Sequence, residues 1–455
     1  MFVNRKNEIE RLTTALNQES VRLIILYGRR RCGKSALLHQ VLPEHSVYFA
    51  SDLREKPLQI SALANQISNL VSGFDRAVYP DWETILLTFN RSLKRHTILC
   101  IDEFPYLVKN SPELPSVIQH ILDTHKQLQF SLIICGSAQQ MMQGIAINSN
   151  SPLYGRSDEI LRIRVMELPH IREYLQTKET NAVEEYSVWG GVPRYWEIRK
   201  KSATLAQAIR RHVIDQNGLL YDEPERLFAD EMRTSVQAFS VISLIANGSN
   251  RISEIAGRLG KPATQLTRLL SFLIDLGYIR REIPYGEHPC SSKRGLYKIN
   301  DPFLNFWFTF VIPQKSRLES GLADEVWKDI SSRLNNFVSG EWETQCRGRI
   351  AFLEADGKRF LPASRWWGPG YDKKTLELDL VADSTDGSAI LVGEVKWSEN
   401  PGLLTIENRL TEKIRQLPFT GNKKIIRAIF LKSKPSHYSG ESVLFDAKDV
   451  CHSNL

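Results

Sequence analysis

The chain has 455 residues, which is too many for one hydrophobic core and predicts about three domains. Apolar residues make up 42% and charged residues 24%, which excludes a mostly disordered or collagen-like chain. The formal net charge of +7 and the sequence pI near 9.0 mildly favour a polyanionic partner such as nucleic acid.

Cysteine spacing and apolar run length indicate the cellular setting. The six cysteines form no CxxC pair and no Cys/His cluster, which argues against a disulfide framework or a structural zinc. The charged N-terminus has no apolar signal segment. The apolar runs have the length of strands and fall short of the roughly 20 residues of a transmembrane helix. We therefore expect a cytoplasmic protein with no membrane partner.

Short apolar runs alternate with helical stretches between residues 21 and 137. The runs VRLIILY, VYFA, TILCI and FSLIIC are typical of buried strands, and residues 82–96 and 113–127 have helical spacing. This alternation predicts a parallel sheet with helices on both faces.

The segment GRRRCGKS at residues 28–35 matches the pattern GxxxxGK[ST] between a strand and a helix. Gly28 and Gly33 let the backbone curl so that its N–H groups face phosphate oxygens. We expect Lys34 to reach the β- and γ-phosphates and the Ser35 hydroxyl to ligate Mg²⁺. The other residues predicted to line the nucleotide are Arg29, Arg30, Arg31, Cys32 and Ala36. The pattern predicts ATP and Mg²⁺ as cofactors.

Two carboxylates follow the strand TILCI. Asp102 is expected to hold the Mg²⁺ shell, and Glu103 to polarise the attacking water. Ser137, in LIICGSA at the end of the next strand, is a predicted γ-phosphate sensor. The alternatives are that the two carboxylates merely terminate a strand and that Ser137 is an ordinary turn residue.

Six motifs together resemble the prokaryotic archaeal ATPase family, an AAA-related and STAND-like group. They are FVNRKNEIERL, LYGRRRCGKS, LCIDEF, LIICGSA, SPLYGR and GGVPRYW, and they cover roughly the first half of the chain. The resemblance implies that Val3, Arg5 and Glu8 lie near the adenine.

Three further residues take their roles from the same resemblance. Arg156, in SPLYGR, looks like an arginine finger or a switch arginine. Pro193 and Arg194, in GGVPR, would contact the nucleotide from a helical lid. Surface salt bridges are the alternative for both arginines.

In the middle of the chain, helical patterns replace the alternation of strands and helices. Helical patterns dominate residues 171–230 and predict a small bundle. Residues 231–312 then have the outline of a winged helix, with a basic hairpin at 278–299. Its expected phosphate contacts are Arg268, Arg280, Arg281, Lys293 and Arg294. Protein docking by the winged helix is an equal alternative.

The last third contains a small set of carboxylates and a lysine. Strand-like segments at residues 376–381 and 389–395 carry Asp379 and Glu394, and Lys396 shares a face with Glu394 because the two are two residues apart. Together with Glu343 on the preceding helix, these carboxylates suit one or two Mg²⁺ ions in phosphodiester hydrolysis.

This D…ExK pattern resembles the PD-(D/E)xK restriction-endonuclease-like fold. Together with the segments RWWG and DPFLNFWF, it also resembles the uncharacterised domain that often follows this ATPase. The alternatives are that the charges are solvated strand ends, and that the nuclease fold has kept its carboxylates without turnover.

These observations predict an α/β protein built from several modules. They are a P-loop NTPase core (1–170) with an AAA-type helical lid (171–230), a winged helix (231–312), a connector (313–330) and a restriction-endonuclease-like domain (331–455). We expect ATP hydrolysis coupled to binding or cleavage of nucleic acid, foremost DNA, with a homo-oligomer as a further possible partner. One alternative is a STAND-like assembly switch whose C-terminal domain recruits a partner. Another is a nucleotide-bound scaffold with negligible turnover.

Overall fold

A computed structural model describes residues 5–18, 20–125, 127–232, 234–399 and 401–452. Val3 therefore lies outside the described residues. The chain forms two compact units, the first comprising Met1–Val165 with Val192–Arg194 and the second Met166–Gly191 with Tyr195–Leu455. No described helix combines the length and the apolar character needed to cross a membrane.

The first unit contains a five-stranded parallel sheet. Its strands are β1 (Leu23–Gly28), β2 (Ser46–Ala50), β3 (Thr97–Asp102), β4 (Phe130–Gly136) and β5 (Glu159–Ile163). They are arranged in the order β2-β3-β4-β1-β5. Its α-helices are α1 (Lys6–Leu16), α2 (Lys34–Val41), α3 (Lys56–Ser68), α4 (Trp82–Ser92), α5 (Phe104–Asn110), α6 (Leu114–Thr124) and α7 (Gln139–Met142).

The continuous apolar runs in this unit are explained by burial on both faces of the sheet. Every residue of β3 and β4 is buried. Leu23 and Ile25 of β1 pack into one apolar cluster, while Ile24 and Leu26 pack into another. Alternate side chains therefore enter the two cores that flank a covered parallel sheet. The predicted parallel sheet is confirmed.

The second unit begins with the helices of the predicted lid region. These are α8 (Leu168–Leu175), α9 (Glu179–Trp189), α10 (Pro193–Arg199), of which the first two residues belong to the first unit, α11 (Leu205–His212) and α12 (Glu223–Glu231). Three more helices and an antiparallel hairpin follow. They are α13 (Ser235–Ala246), α14 (Ile252–Leu259), α15 (Ala263–Asp275), β6 (Ile279–Glu282) and β7 (Leu296–Ile299).

The segment predicted as a polar connector is mostly helical. After α16 (Pro302–Phe306) come α17 (Lys315–Glu319) and α18 (Ala323–Arg349). The prediction missed α17 and the first part of α18 because their surfaces are polar, but Leu318 and Val326 are buried and anchor them.

A second five-stranded sheet forms the C-terminal part. Its elements are β8 (Glu354–Ala355), β9 (Lys358–Arg359), β10 (Ser364–Pro369), β11 (Thr375–Asp383), β12 (Ala389–Val395), α19 (Leu403–Arg415), β13 (Lys424–Phe430), β14 (Val443–Phe445) and α20 (Ala447–His452). Strands β10, β11 and β12 are antiparallel, while β13 and β14 continue the sheet in parallel. The short pair β8 and β9 forms a separate hairpin.

Candidate functional site

The loop between β1 and α2 has the backbone that a phosphate site requires. A Cβ atom at Gly28 would collide with the carbonyl oxygen of Ile163 on β5, so only glycine fits there. Arg31 and Gly33 adopt left-handed conformations, with φ of 65° and 86°. A curl of this kind turns successive backbone N–H groups toward one point, where an anion is bound.

Lys34 lies against this loop. Its side chain is buried, and Nζ donates to the carbonyl oxygens of Gly28 at 3.0 Å and of Arg29 at 3.1 Å. The ammonium group is thus held beside the curl, where a polyphosphate would meet it. The other predicted loop residues surround the same turn, Arg29 and Cys32 being buried, Arg30 half-buried, and Arg31, Ser35 and Ala36 exposed.

Ser35 and Asp102 lie side by side and offer the neighbouring oxygen atoms that a Mg²⁺ site requires. Ser35 Oγ donates to Asp102 Oδ2 at 2.6 Å, and the backbone N–H of Glu103 donates to Asp102 Oδ1 at 2.9 Å. Burial alone would raise the pKa of Asp102, but hydrogen bonds, chiefly from Ser35 and Tyr48, outweigh it and hold the pKa below 3.8. An ionised carboxylate beside a hydroxyl fits Mg²⁺, which prefers oxygen ligands.

Tyr48 is a site residue that the sequence did not single out. Its hydroxyl donates to Asp102 Oδ2 at 2.6 Å, beside the bond from Ser35. Burial and the neighbouring Asp102 raise the pKa of Tyr48 well above 10.0, so the phenol keeps its proton. The available signal was its place in VYFA, a strand that pairs with the strand ending in Asp102.

Glu103 is held in a defined position beside this pair. It precedes α5 in a left-handed conformation with φ of 52°. Its Oε2 accepts hydrogen bonds from Ser137 Oγ at 2.8 Å and from the Ser137 backbone N–H at 3.3 Å. The predicted γ-phosphate sensor therefore contacts the predicted water-polarising carboxylate.

The N-terminal segment reaches the same loop. Arg5 is buried, and its Nη2 donates to the carbonyl oxygen of Cys32 at 3.2 Å. Its Nη1 donates to Glu8 at 2.9 Å. The structure therefore brings Arg5 and Glu8 to the phosphate-binding loop.

Of the predicted lid residues, Pro193 lies close to the same turn. Its Cγ is 4.0 Å from the position that a Cβ on Gly33 would take. Arg194 is exposed next to it. Pro193 and Arg194 both belong to the first compact unit.

Arg156 lies at the amino ends of the strands, opposite to the end that carries the phosphate-binding loop. It precedes β5, and its guanidinium makes two 2.9 Å bonds to the carboxylate of Asp123 near the end of α6. Nearby Asp158 accepts from the backbone N–H of Leu23, where β1 begins. The phosphate-binding loop follows the opposite end of β1, so Arg156 is remote from the loop of its own chain.

The second unit brings Asp379, Glu394 and Lys396 together. Lys396 Nζ lies 2.9 Å from Glu394 Oε2 and 3.4 Å from Asp379 Oδ2. The backbone N–H of Val395 also donates to Asp379 Oδ2, at 2.9 Å. Burial would lower the pKa of Lys396, but the charges of the two carboxylates outweigh it and raise the pKa above 10.5.

A second lysine, which the sequence did not indicate, completes this cluster. Lys413 on α19 donates to Glu394 Oε1, so two ammonium groups flank one buried carboxylate. We name Asp379, Glu394, Lys396 and Lys413 the C-terminal charge cluster.

Glu343, the predicted third carboxylate, lies next to an arginine on its own helix. Within the described ranges, no three His, Cys, Asp or Glu side chains are arranged to hold a metal ion. A carboxylate oxygen of Glu343 lies 3.7 Å from Nη1 of Arg347, one helical turn away. Burial and the charge of Asp379 raise its pKa above 4.5. The role of Glu343 as a third metal ligand stays a prediction.

The hairpin of β6 and β7 is tied to the C-terminal sheet by a buried carboxylate. Glu282 lies 2.8 Å from Arg280, 3.2 Å from Arg365 and 3.6 Å from Arg347. Burial would raise the pKa of Glu282, but these three arginines outweigh it and lower the pKa to about 2. We name these four residues the Glu282 cluster.

The arginines predicted to contact phosphate are partly used within the chain. Arg280 donates to Thr344 Oγ1 at 3.1 Å, and Arg294 donates to the carbonyl oxygen of Trp367 at 2.9 Å. Arg281 donates to carbonyl oxygens of its own hairpin loop. Arg268 and Lys293 are exposed.

Comparison with known sequences gives two family matches and two relatives. Residues 2–197 match an ATPase domain predominantly from Archaea, and residues 307–414 match a domain of "Archaea bacterial proteins of unknown function". The uncharacterized protein MJECL04 of Methanocaldococcus jannaschii is 29% identical over 99% of this chain and 100% of its own length. The uncharacterized ATP-binding protein MJ0423 of the same organism is 49% identical over 11% of this chain and 86% of its own.

Comparison with solved structures supports the fold. The Walker-type ATPase PABY2304 of Pyrococcus abyssi aligns with a TM-score of 0.51 at 20% identity, over 68% of this chain and 96% of its own. The family match and this likeness agree with the parallel sheet and the phosphate-binding loop described above. The chain is a P-loop ATPase of the archaeal type, with an ATPase domain of the predominantly archaeal family at residues 2–197 and a second domain, shared with archaeal and bacterial proteins of unknown function, at residues 307–414.

Proposed function

We propose that this ATPase couples ATP binding and hydrolysis to the binding or cleavage of nucleic acid by its second unit. The observation that carries the proposal is the convergence of Asp379 and Glu394 on the ammonium of Lys396. Two carboxylates and a lysine at one point suit the hydrolysis of a phosphodiester, because the lysine can neutralise charge on the phosphate.

In the first unit, each residue has a distinct role in hydrolysis. Lys34 binds the β- and γ-phosphates, and Glu103 polarises the attacking water. Ser35 and Asp102 would hold Mg²⁺, which supplies positive charge to the phosphates. Ser137 orients Glu103 through the hydrogen bond between them.

Residues 231–312 are proposed to bind DNA as a winged helix. The succession of α13, α14, α15 and the hairpin of β6 and β7 has the order of that motif. The exposed face of α15 is polar, with Arg268 near its middle as a group that could contact phosphate and Asp275 at its end. The exposed residues of α15 are Thr264, Gln265, Thr267, Arg268, Ser271 and Asp275.

The C-terminal domain is proposed to be nuclease-like. Helix α18, three antiparallel strands, helix α19 and the parallel strand β13 follow one another in the order typical of restriction-endonuclease-like domains. The pair Asp379 and Glu394 already shares one cationic group, so its donors fit a divalent cation. Asp379 and Glu394 would hold that cation, and Lys396 would face the scissile phosphate.

A cleavage assay on the full chain tests the proposal. Single- and double-stranded DNA and RNA are incubated with Mg²⁺ or Mn²⁺, with and without ATP. We expect cleavage that Asp379→Ala and Lys396→Ala abolish while ATP hydrolysis is nearly unchanged, because the two sites lie in separate units.

A second candidate is an ATP-driven assembly switch whose C-terminal domain recruits a partner. The observation that favours it is the pairing of Glu394 with both Lys396 and Lys413, which leaves the carboxylate largely neutralised. The absence of cleavage with either metal on every substrate would support this reading over the nuclease.

A further inference from the structure

Two hydroxyl groups from different elements donate to one oxygen of Asp102. Ser35 Oγ on α2 and Tyr48 Oη on β2 each lie 2.6 Å from Asp102 Oδ2. A serine hydroxyl has one proton and two acceptor lone pairs. While Ser35 donates that proton to Asp102, its lone pairs remain directed elsewhere and are available to a cation.

The orientation of the Asp102 carboxylate therefore sets the orientation of the Ser35 hydroxyl. Asp102 Oδ1 is fixed by the backbone N–H of Glu103 at 2.9 Å. Tyr48 supplies the second fixed donor, on Oδ2. Because both oxygens accept hydrogen bonds, rotation of the carboxylate would break at least one of them.

Tyr48 is itself firmly placed. Its backbone pairs with Cys100 on β3, two residues before Asp102. Its ring lies 4.4 Å, centroid to centroid, from the ring of His39 on α2. Tyr48 thus contacts both elements that carry the cation-binding groups.

We propose that Tyr48 is a positioning residue for Mg²⁺ in the ATPase site. It fixes the carboxylate of Asp102 and, through that carboxylate, directs the lone pairs of Ser35 toward the cation. Without the phenol, Asp102 Oδ2 can rotate, and the Ser35 hydroxyl samples orientations in which its proton faces the cation.

The variant Tyr48→Phe tests this role, because it removes the hydroxyl and keeps the ring against His39. Binding of a fluorescent ATP analogue is measured in EDTA and during a Mg²⁺ titration. We expect an unchanged Kd in EDTA. The Mg²⁺ concentration that half-saturates the tightening of binding should rise about three- to tenfold, the effect of losing one net hydrogen bond.

The matched control is Tyr79→Phe, which removes a phenol of the same unit that donates to the carbonyl oxygen of Phe74 at 2.9 Å. It should leave the Mg²⁺ titration at the wild-type position. An unchanged Mg²⁺ dependence in Tyr48→Phe would overturn the proposal. So would an equal loss of binding with and without Mg²⁺, because Tyr48 would then support the nucleotide or the fold instead of the cation.

Discussion

Ser137 Oγ donates a 2.8 Å hydrogen bond to Oε2 of Glu103, joining the ends of two adjacent strands of the ATPase sheet. The carboxylate predicted to polarise water is thus held by the residue predicted to sense the γ-phosphate. A γ-phosphate that attracts the Ser137 hydroxyl would release the carboxylate for the attacking water. Recognition of ATP and activation of water would then be one event.

Replacing Glu103 should separate ATP binding from ATP hydrolysis. Glu103→Gln removes the water-polarising charge and should lower kcat about a hundredfold or more while leaving the nucleotide Kd nearly unchanged. Ser137→Ala should lower kcat less, because the carboxylate remains and only its coupling to the γ-phosphate is lost. Steady-state phosphate release and equilibrium binding measure the two effects. Equal turnover by wild type and Glu103→Gln would refute the assignment.

Removing the ammonium group of Lys34 should weaken the binding of ATP. Lys34→Ala deletes the buried charge beside the phosphate-binding loop and should weaken ATP binding by roughly tenfold or more, since charge-assisted contacts to phosphate are strong. Lys109→Ala, at an exposed position on α5, is the control and should bind like wild type. Calorimetric titration with ATP provides the measurement. Wild-type affinity in Lys34→Ala would exclude its phosphate role.

Arg156 lies away from the phosphate-binding loop of its own chain, so any contact with a nucleotide would have to be with that of a second copy. If it serves a neighbouring nucleotide, turnover per subunit should rise with protein concentration, and Arg156→Ala should lower turnover without lowering affinity. Asp123→Ala, which removes only the partner of the arginine, should retain the concentration-dependent turnover. Turnover that is independent of concentration, and unchanged in Arg156→Ala, would leave Arg156 with a structural role.

The Glu282 cluster should make the second unit sensitive to acid. The pKa of Glu282 is lowered from 4.5 to about 2, so its stabilisation is complete above pH 4.5 and is lost as the pH falls toward 2. Glu282→Gln should lower the free energy of unfolding at neutral pH by roughly 3 kcal/mol, because three half-buried arginines lose their common partner.

The measurement is the Tm of the second-unit transition between pH 7 and pH 2. Glu173→Gln, at an exposed position on α8, serves as the control and should keep the wild-type pH profile. A variant Glu282→Gln that keeps the wild-type acid sensitivity would contradict the assignment.

The C-terminal charge cluster should bind divalent cations more tightly once Lys413 is neutralised. Lys413→Met removes one of the two ammonium groups that compete for Glu394, and we expect the Mn²⁺ affinity to rise about threefold or more. Lys423→Met removes an exposed lysine that pairs with Asp383 in the same domain, and should have no effect. Calorimetry on nucleotide-free protein gives the affinities. An unchanged affinity in Lys413→Met would mean that the cation does not use Glu394.

The sequence was most informative where a local pattern carries a physical requirement. The phosphate-binding loop could be placed because two glycines, a lysine and a serine have fixed positions in that turn. Lys396 could be placed beside Glu394 because residues two apart on a strand share a face.

Residues that act through the tertiary structure were not predictable in this way. Tyr48 reaches Asp102 only because β2 lies next to β3, and Lys413 reaches Glu394 only after the crossover through α19. The charge of Arg280 was visible in the sequence, but its buried partner Glu282 was not. An exposed basic surface was therefore expected where much of the charge is internally paired.

The Glu282 cluster also decides where the chain can be divided. A fragment beginning near residue 330 would keep Arg347 and Arg365 but lose the carboxylate that compensates them. Each guanidinium group would then keep a single carboxylate, Glu343 for Arg347 and the exposed Glu377 for Arg365, and both would lose the partner that they share. The hairpin 279–299 therefore belongs with the C-terminal sheet in any autonomous fragment, and a boundary placed before α13 is more compatible with folding than one placed in the segment 313–330.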